Sequence, residues 1–374
     1  MINRQRRQLL QFLGGTSLAI GAGFGGWSIS ASSTSALSTQ TGYLYSAATL
    51  DSGLFALVQV ELASFTQHFF PLPFQGHAVL PLPDQSVLVS GRRPSTQSAL
   101  VHIETGEIRL FSASAGRHFN GHGCLSNDKQ VLFTTENAYD EVSGVIGIRD
   151  PKTGKKLGEY SSGGLDPHDI KLMPDGKTLV IANGGIETHP DFGRRKLNID
   201  TMQPSLVYLD SYTGEVLDDY RLPQPQLSIR HLSVTPQGDV GVALQYEGNR
   251  VRNPPSALVA WQALGQTLEP LLSTPEQLAP FKGYLGDVMI NPDTQELLAT
   301  SLLGQALGTW DLTRRCFKSA LPIAEPNGIV LTPDQQVLVS SATGTLNTCT
   351  HRHLQPCPIQ QRVAWDNHLI LVTT

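Results

Sequence analysis

Charge is scarce in this sequence. Asp, Glu, Lys and Arg make up only 16% of the 374 residues, and no run of Lys or Arg longer than three follows residue 36. That argues against a nucleic-acid partner, which would need a basic stripe or patch. Amphipathic helical periodicity is nearly absent, apart from one short turn expected at "STPEQLAPF" from Ser273. No stretch reaches the roughly 20 apolar residues of a spanning helix, so no membrane span is expected in the mature protein. There is no Gly-x-Ser-x-Gly elbow, no phosphate-binding Gly loop and no His-Glu-x-x-His pair. Only four Trp occur, and none recurs at a fixed place in a repeat.

What is present points to strands and turns. Hydrophobic residues make up 40% of the chain, with 35 Gly and 24 Pro. That balance suits a folded protein with much buried strand.

Residues 1–36 read as a twin-arginine export signal. Arg6 and Arg7 precede Leu9, Leu10 and Phe12, and a Gly-diluted apolar stretch follows. A membrane anchor is the competing reading, but about 15 apolar residues are too few. The expected location is the periplasm. These 36 residues hold three Arg and no acid, so a net charge of −5 for the whole leaves −5 − 3 = −8 for the rest.

Residues 40–374 show an internal repeat. His77, His122 and His168 each stand six residues before a turn residue, Pro83, Asp128 and Pro174. Arg230, with His231 beside it, Gly286, with Asp287 beside it, and Asn327 hold the same place before Pro236, Pro292 and Pro333. The intervals are 45, 46, 62, 56 and 41 residues. A period in the forties with strands between turns is the mark of a four-stranded propeller blade. A third strand closes with "D-x-x-T-G" in two units, where Asp bonds its own backbone and Gly supplies a left-handed position.

Six internal units leave a remainder at each end. Residues from Gly42 read as strands two and three of a blade lacking its first strand, and "NHLILV" near the carboxyl terminus reads as that strand, with His368 in the histidine slot. The expected fold is all-β: one seven-bladed β-propeller, closed by pairing of the C-terminal strand with the N-terminal blade. A monomer is expected.

First strands line the channel of a propeller. His77, His122, His168, His231, Asp287, Asn327 and His368 should therefore crowd round one mouth. Such a ring can hold a metal ion or an anion, because neutral imidazole is both a ligand and a proton carrier. The plainer reading is that each residue caps a strand start by bonding to the next blade. The 62-residue interval contains an insertion over residues 184–204 with His189, Asp191, Arg194 and Arg195. His189 and Asp191 can ligate a cation, and the arginines can clamp a carboxylate or phosphate. This insertion should fold over the mouth that holds the histidines.

"CTHRHLQPC" offers Cys349, His351, His353 and Cys357 within nine residues. In an oxidising compartment a Cys349–Cys357 disulfide closing a surface hairpin is the simpler reading. A copper or zinc site is the weaker alternative. Cys124 reads as a buried thiol, and Cys316 has no evident partner.

The run "DPHDIKLMPDGKTLVIANGGIETHPDFGRRKLNIDTMQPSLVYLD" from Asp166 resembles the central signature of a bacterial family of unknown function, numbered 1513 among such domains. The resemblance implies a periplasmic, propeller-like protein whose genes often neighbour imelysin-type iron-uptake proteins. It implies no reaction and no catalytic residues. Two functions follow as expectations. One is a non-catalytic ligand-binding or scaffold propeller associated with iron uptake, with a small anionic ligand or an iron-uptake protein as partner. The other is a metal-dependent hydrolase or oxidoreductase that uses the channel histidines.

Overall fold

The computed structural model describes residues 41–193, 195–350 and 353–373. The expected export signal, Arg194 and His351 lie outside them. Among the described residues there are seven antiparallel sheets, six of four strands and one of five. In chain order the six complete blades span residues 76–112, 118–161, 167–220, 227–270, 288–322 and 326–356. They form a seven-bladed propeller.

The seventh blade joins the two ends of the chain. The strand Gly42–Thr49 pairs with Phe55–Glu61 on one side. On the other it pairs with residues 370–373, Tyr43 opposite Val372 and Tyr45 opposite Ile370, and with Ala364–Trp365. The terminal segment thus supplies the innermost strand, and no open sheet edge is left between first and last blades.

Burial explains the residue pattern within a blade. Second strands such as "SVLVSG" and "LFTTENA" are buried throughout, because neighbouring blades cover both of their faces. Fourth strands lie on the rim, and "KLGEYS" alternates between half-buried and exposed. The hydrophobic clusters lie between blades. One joins Val58 and Leu338 across the closure, another Val79 and Leu57, another Ile146 and Val207. Packing therefore fixes each blade against the next, not against a central core.

The hairpin chemistry is as the sequence predicts. Asp150 Oδ1 accepts from the backbone N–H of Lys152 and Thr153 at 2.8 and 3.0 Å, and Gly154 takes φ 70°. Asp210 and Gly214 repeat this before the outer strand of the third blade. The short helix Pro275–Leu278 has a complete capping box between Thr274 and Gln277. No helix of the described residues is long and apolar enough to cross a membrane.

The cysteine hairpin departs from expectation. Cys349 and Cys357 are both free. The backbone N–H of Cys357 bonds to Leu346 O, three residues along the strand from Cys349. An odd offset points the two thiols to opposite faces. Cys357 packs in the cluster with Leu346, and Cys349 in a separate one with Ile329 and Val339. Sequence proximity does not become side-chain proximity here.

Candidate metal centre

Five of the innermost strands carry a local irregularity at the histidine slot. Pairing shifts between Gly76 and Val79, between Phe119 and Gly123, between Pro167 and Asp169, between Ile229 and His231, and between Pro326 and Ile329. A bulge bends its strand and re-aims the side chains beside it. Here the bulges turn His77, His122, His168 and His231 into the channel axis. His368 arrives on the closing segment.

The five rings form one cluster. Centroids of His122 and His368 are 4.6 Å apart, His168 and His231 4.6 Å, His231 and His368 4.7 Å, and His77 and His368 4.9 Å. Gly121 allows the approach, since a Cβ there would meet His77 Cδ2 at 2.5 Å. All five are buried, with His231 only 1% exposed. The expected open ring at a channel mouth is thus corrected. The histidines plug the channel from within, because the bulges lie inside the strands and not ahead of them.

Three of the rings are backed by carboxylates. His77 Nδ1 lies 2.9 Å from Asp366 Oδ1, His122 Nδ1 3.3 Å from Asp169 Oδ1, and His368 Nδ1 3.2 Å from Asp287 Oδ1. With Nδ1 engaged, the free nitrogen of each ring is Nε2. Nε2 of His122 and of His368 has no hydrogen-bond partner, nor has His168 Nδ1 or either nitrogen of His231. Two groups bring one ligand atom per residue within 4.8 Å of one another: His77, His122 and His368, and His122, His168 and His231. His122 belongs to both.

Burial keeps His77, His122, His168 and His231 neutral. Burial pushes His77 down to about 4 and His122 to about 3, against the pull of Asp366 and Asp169. Burial lowers His168 and His231 well below the ordinary value, with neighbouring cations and rings adding to it. Neutral imidazole is the form that ligates metals. Asp169 and Asp366 stay ionised despite burial: Lys171 and His122 hold Asp169 well below the usual range, and His77 with Arg92 holds Asp366 at about 2. Cys124, two residues from His122, faces the cluster between blades two and three, and burial raises its thiol to about 12.

The plug separates two cavities. One of about 330 Å³ is lined by His122, His368, Asp169, Lys171 and Asp287. The other, of about 470 Å³, is lined by His77 and His168 together with His189 and Lys196 of the insertion. While His122 and His368 line the other cavity, the insertion therefore shares a face with His77 and His168, as its place after a second strand predicts. It is pinned by Asn198, which accepts from Glu187 N–H at 2.7 Å and donates to Gly185 O at 2.9 Å.

The other expected residues are dispersed. His189 caps the turn Pro190–Phe192 and lies 3.5 Å from Asp140, apart from the cluster. Asp191 and Arg195 are exposed. Asn327 is buried but donates to Trp365 O at 2.6 Å, so it does hold the closing segment as a strand cap. In the hairpin, His353 is exposed opposite Thr350, and burial raises the Cys349 and Cys357 thiols to about 11 and 12. With thiols protonated and facing apart, the described residues build no metal site there.

Several groups were not foreseen. Asp166 accepts from Arg93 at 2.6 Å, Arg230 at 2.5 Å and Asn120 at 2.9 Å. Arg230 thus turns away from the ring, and His231 takes its place. The signals were present as "DPHD", "WDNH" and "GRRP", where charged residues flank a histidine or follow a second strand.

The family model described as "Protein of unknown function (DUF1513)" matches residues 70–372. The chain belongs to that family. Solved structures give this DUF1513 chain relatives in fold. Hydrazine synthase of Kuenenia stuttgartiensis matches with a TM-score of 0.62 at 14% identity, over 90% of this chain and 100% of the other. A protein of Bacteroides uniformis described as a "putative 6-phosphogluconolactonase" matches with a TM-score of 0.59 at 14% identity, over 89% of this chain and 99% of the other. One of Bacteroides fragilis, described likewise, gives 0.60 at 13% identity over 90% and 99%. At such identities the likeness concerns the fold alone. No curated protein matches the chain.

Proposed function

We propose that this DUF1513 propeller is a metal-binding protein, with a transition-metal ion held on the channel axis by Nε2 of His77, His122 and His368. One observation carries the reading. Three imidazoles converge, each with its Nδ1 against a carboxylate, buried in Asp366 and Asp169 and half-buried in Asp287. A carboxylate behind a ligating histidine fixes its tautomer and raises its basicity. His77 and His122 do reach a neighbouring blade through Nδ1, as structural capping predicts, but capping leaves no role for the partnerless Nε2 of His122 and His368. An all-imidazole set suits zinc, copper, iron or nickel. Three protein ligands leave coordination positions for a further molecule. His168 and His231 stand beside this group and share His122 with it.

The test is retention of metal. Protein stripped with chelator and dialysed against Zn(II), Cu(II) or Fe(II) is expected to keep about one ion per chain of at least one metal. His122→Ala should lose it. No retained metal in the parent, or equal retention in His122→Ala, overturns the proposal. Periplasmic location through the twin-arginine route, and a partner among iron-uptake proteins, belong to the same proposal. They rest on Arg6, Arg7 and the family resemblance. Conversion of both arginines to Lys should leave the protein in the cytoplasm.

A further inference from the structure

The cavity of about 470 Å³ above the plug has a charge that the metal centre does not require. Arg92, Arg93, Arg230, Arg250, Lys196 and Lys282 line it. The acids that face them are few. Asp366 takes Arg92, Asp166 takes Arg93 and Arg230, and Glu247 takes Lys196. Six cations against three carboxylates leave an excess of three positive charges. Arg250 spends its guanidinium on Lys282 O, a neutral acceptor, and Lys282 has no acidic partner among the described residues. Arg230 is only 2% exposed, yet its Nε has no hydrogen-bond partner. A buried, unpaired guanidinium N–H beside a cavity is costly unless an acceptor reaches it.

From this we infer that the cavity is a binding site for a small polyanion, a molecule bearing two or more carboxylate or phosphate groups. Guanidinium forks match the paired oxygens of both groups. The volume lies in the range of small-molecule sites. His77 and His168 form the floor of the cavity, so an anion seated on the arginines lies next to the proposed metal. The anion site rests on the metal reading for that last contact only. Its affinity comes from Arg230, Arg250 and Lys282 and exists without the ion.

The probes are tricarballylate and pyrophosphate, titrated calorimetrically into metal-free mature protein. At least one is expected to bind, with affinity that falls as salt rises. The variant Arg250→Gln/Lys282→Gln removes two cations that hold no buried acid, so the fold should persist. Its affinity for the probe should fall about tenfold or more, as loss of hydrogen bonds from charged groups implies. Preference for pyrophosphate assigns a phosphate ligand, and preference for tricarballylate a carboxylate. Absence of binding by both probes, or equal binding by the double variant, overturns the inference. Metal retention without probe binding leaves the metal reading intact and removes this one. Probe binding without metal retention does the reverse.

Discussion

His77 Nδ1 and Asp366 Oδ1 meet at 2.9 Å across 289 residues of sequence, joining the first complete blade to the segment that closes the ring. Arg92 reaches the other oxygen of the same carboxylate at 2.7 Å. Closure of the propeller and orientation of the proposed ligand set thus share one side chain.

Asp366→Asn tests that sharing. The amide keeps the shape and loses the charge that favours a ligating imidazole. Metal affinity should fall about 10- to 100-fold, the usual cost of a lost partner behind a ligating histidine. Titration calorimetry of the variant measures it. Unchanged affinity with a lowered melting temperature would assign Asp366 to closure alone.

A second pair carries stability without any part in the site. Arg149 and Glu136 are 1% and 0% exposed and bond at 2.8 Å. Arg149 also donates to Gly154 O at 2.9 Å, and its guanidinium carbon lies 4.7 Å from the centre of the Phe119 ring. Removing Arg149 leaves the buried Glu136 carboxylate only Lys156 as a cationic partner, at the longer distance of 3.5 Å. Arg149→Met should cost about 3–5 kcal/mol in urea denaturation. Adding Glu136→Gln should recover part of that loss, and a cost below about 1 kcal/mol would contradict the assignment.

Acid sensitivity should come partly from Glu159. Arg117 donates to both of its oxygens, at 2.9 and 3.1 Å, and these bonds with Lys156 hold the carboxyl at about 2. An unfolded Glu titrates near 4.3. The unfolded chain therefore binds the proton first as pH falls. The contribution is full above about pH 4.5 and is lost toward pH 2. The gap between parent and Glu159→Gln in urea midpoint should be wider at pH 6 than at pH 3. It should shrink with salt, since the pair is partly exposed. A gap that grows on acidification would reverse the sign of the argument.

The blades were legible because the chain repeats. A Pro or Asp turn residue six places after the slot marks six of the seven first strands. The closing pair was legible as a missing strand at one end and a spare one at the other. The convergence of His77, His122, His168 and His368 followed from their place on first strands. Their burial did not follow, because a bulge is a matter of hydrogen-bond register and leaves no residue signature. The choice of His231 over Arg230 depended on Asp166, a partner 64 residues away. Asp166 itself takes φ 56°, a left-handed conformation that sequence position alone does not announce. Cys349 and Cys357 misled for a related reason. Eight residues of separation suggest closure, and strand register decides otherwise.

The central claim is that an ion sits among Nε2 of His77, His122 and His368. Anomalous diffraction at the absorption edge of the retained metal, on crystals of metal-loaded protein, tests it most directly. A single peak about 2.0–2.1 Å from those three nitrogens is expected for zinc. A channel holding only water between the rings, with the metal elsewhere on the molecule, would contradict the account.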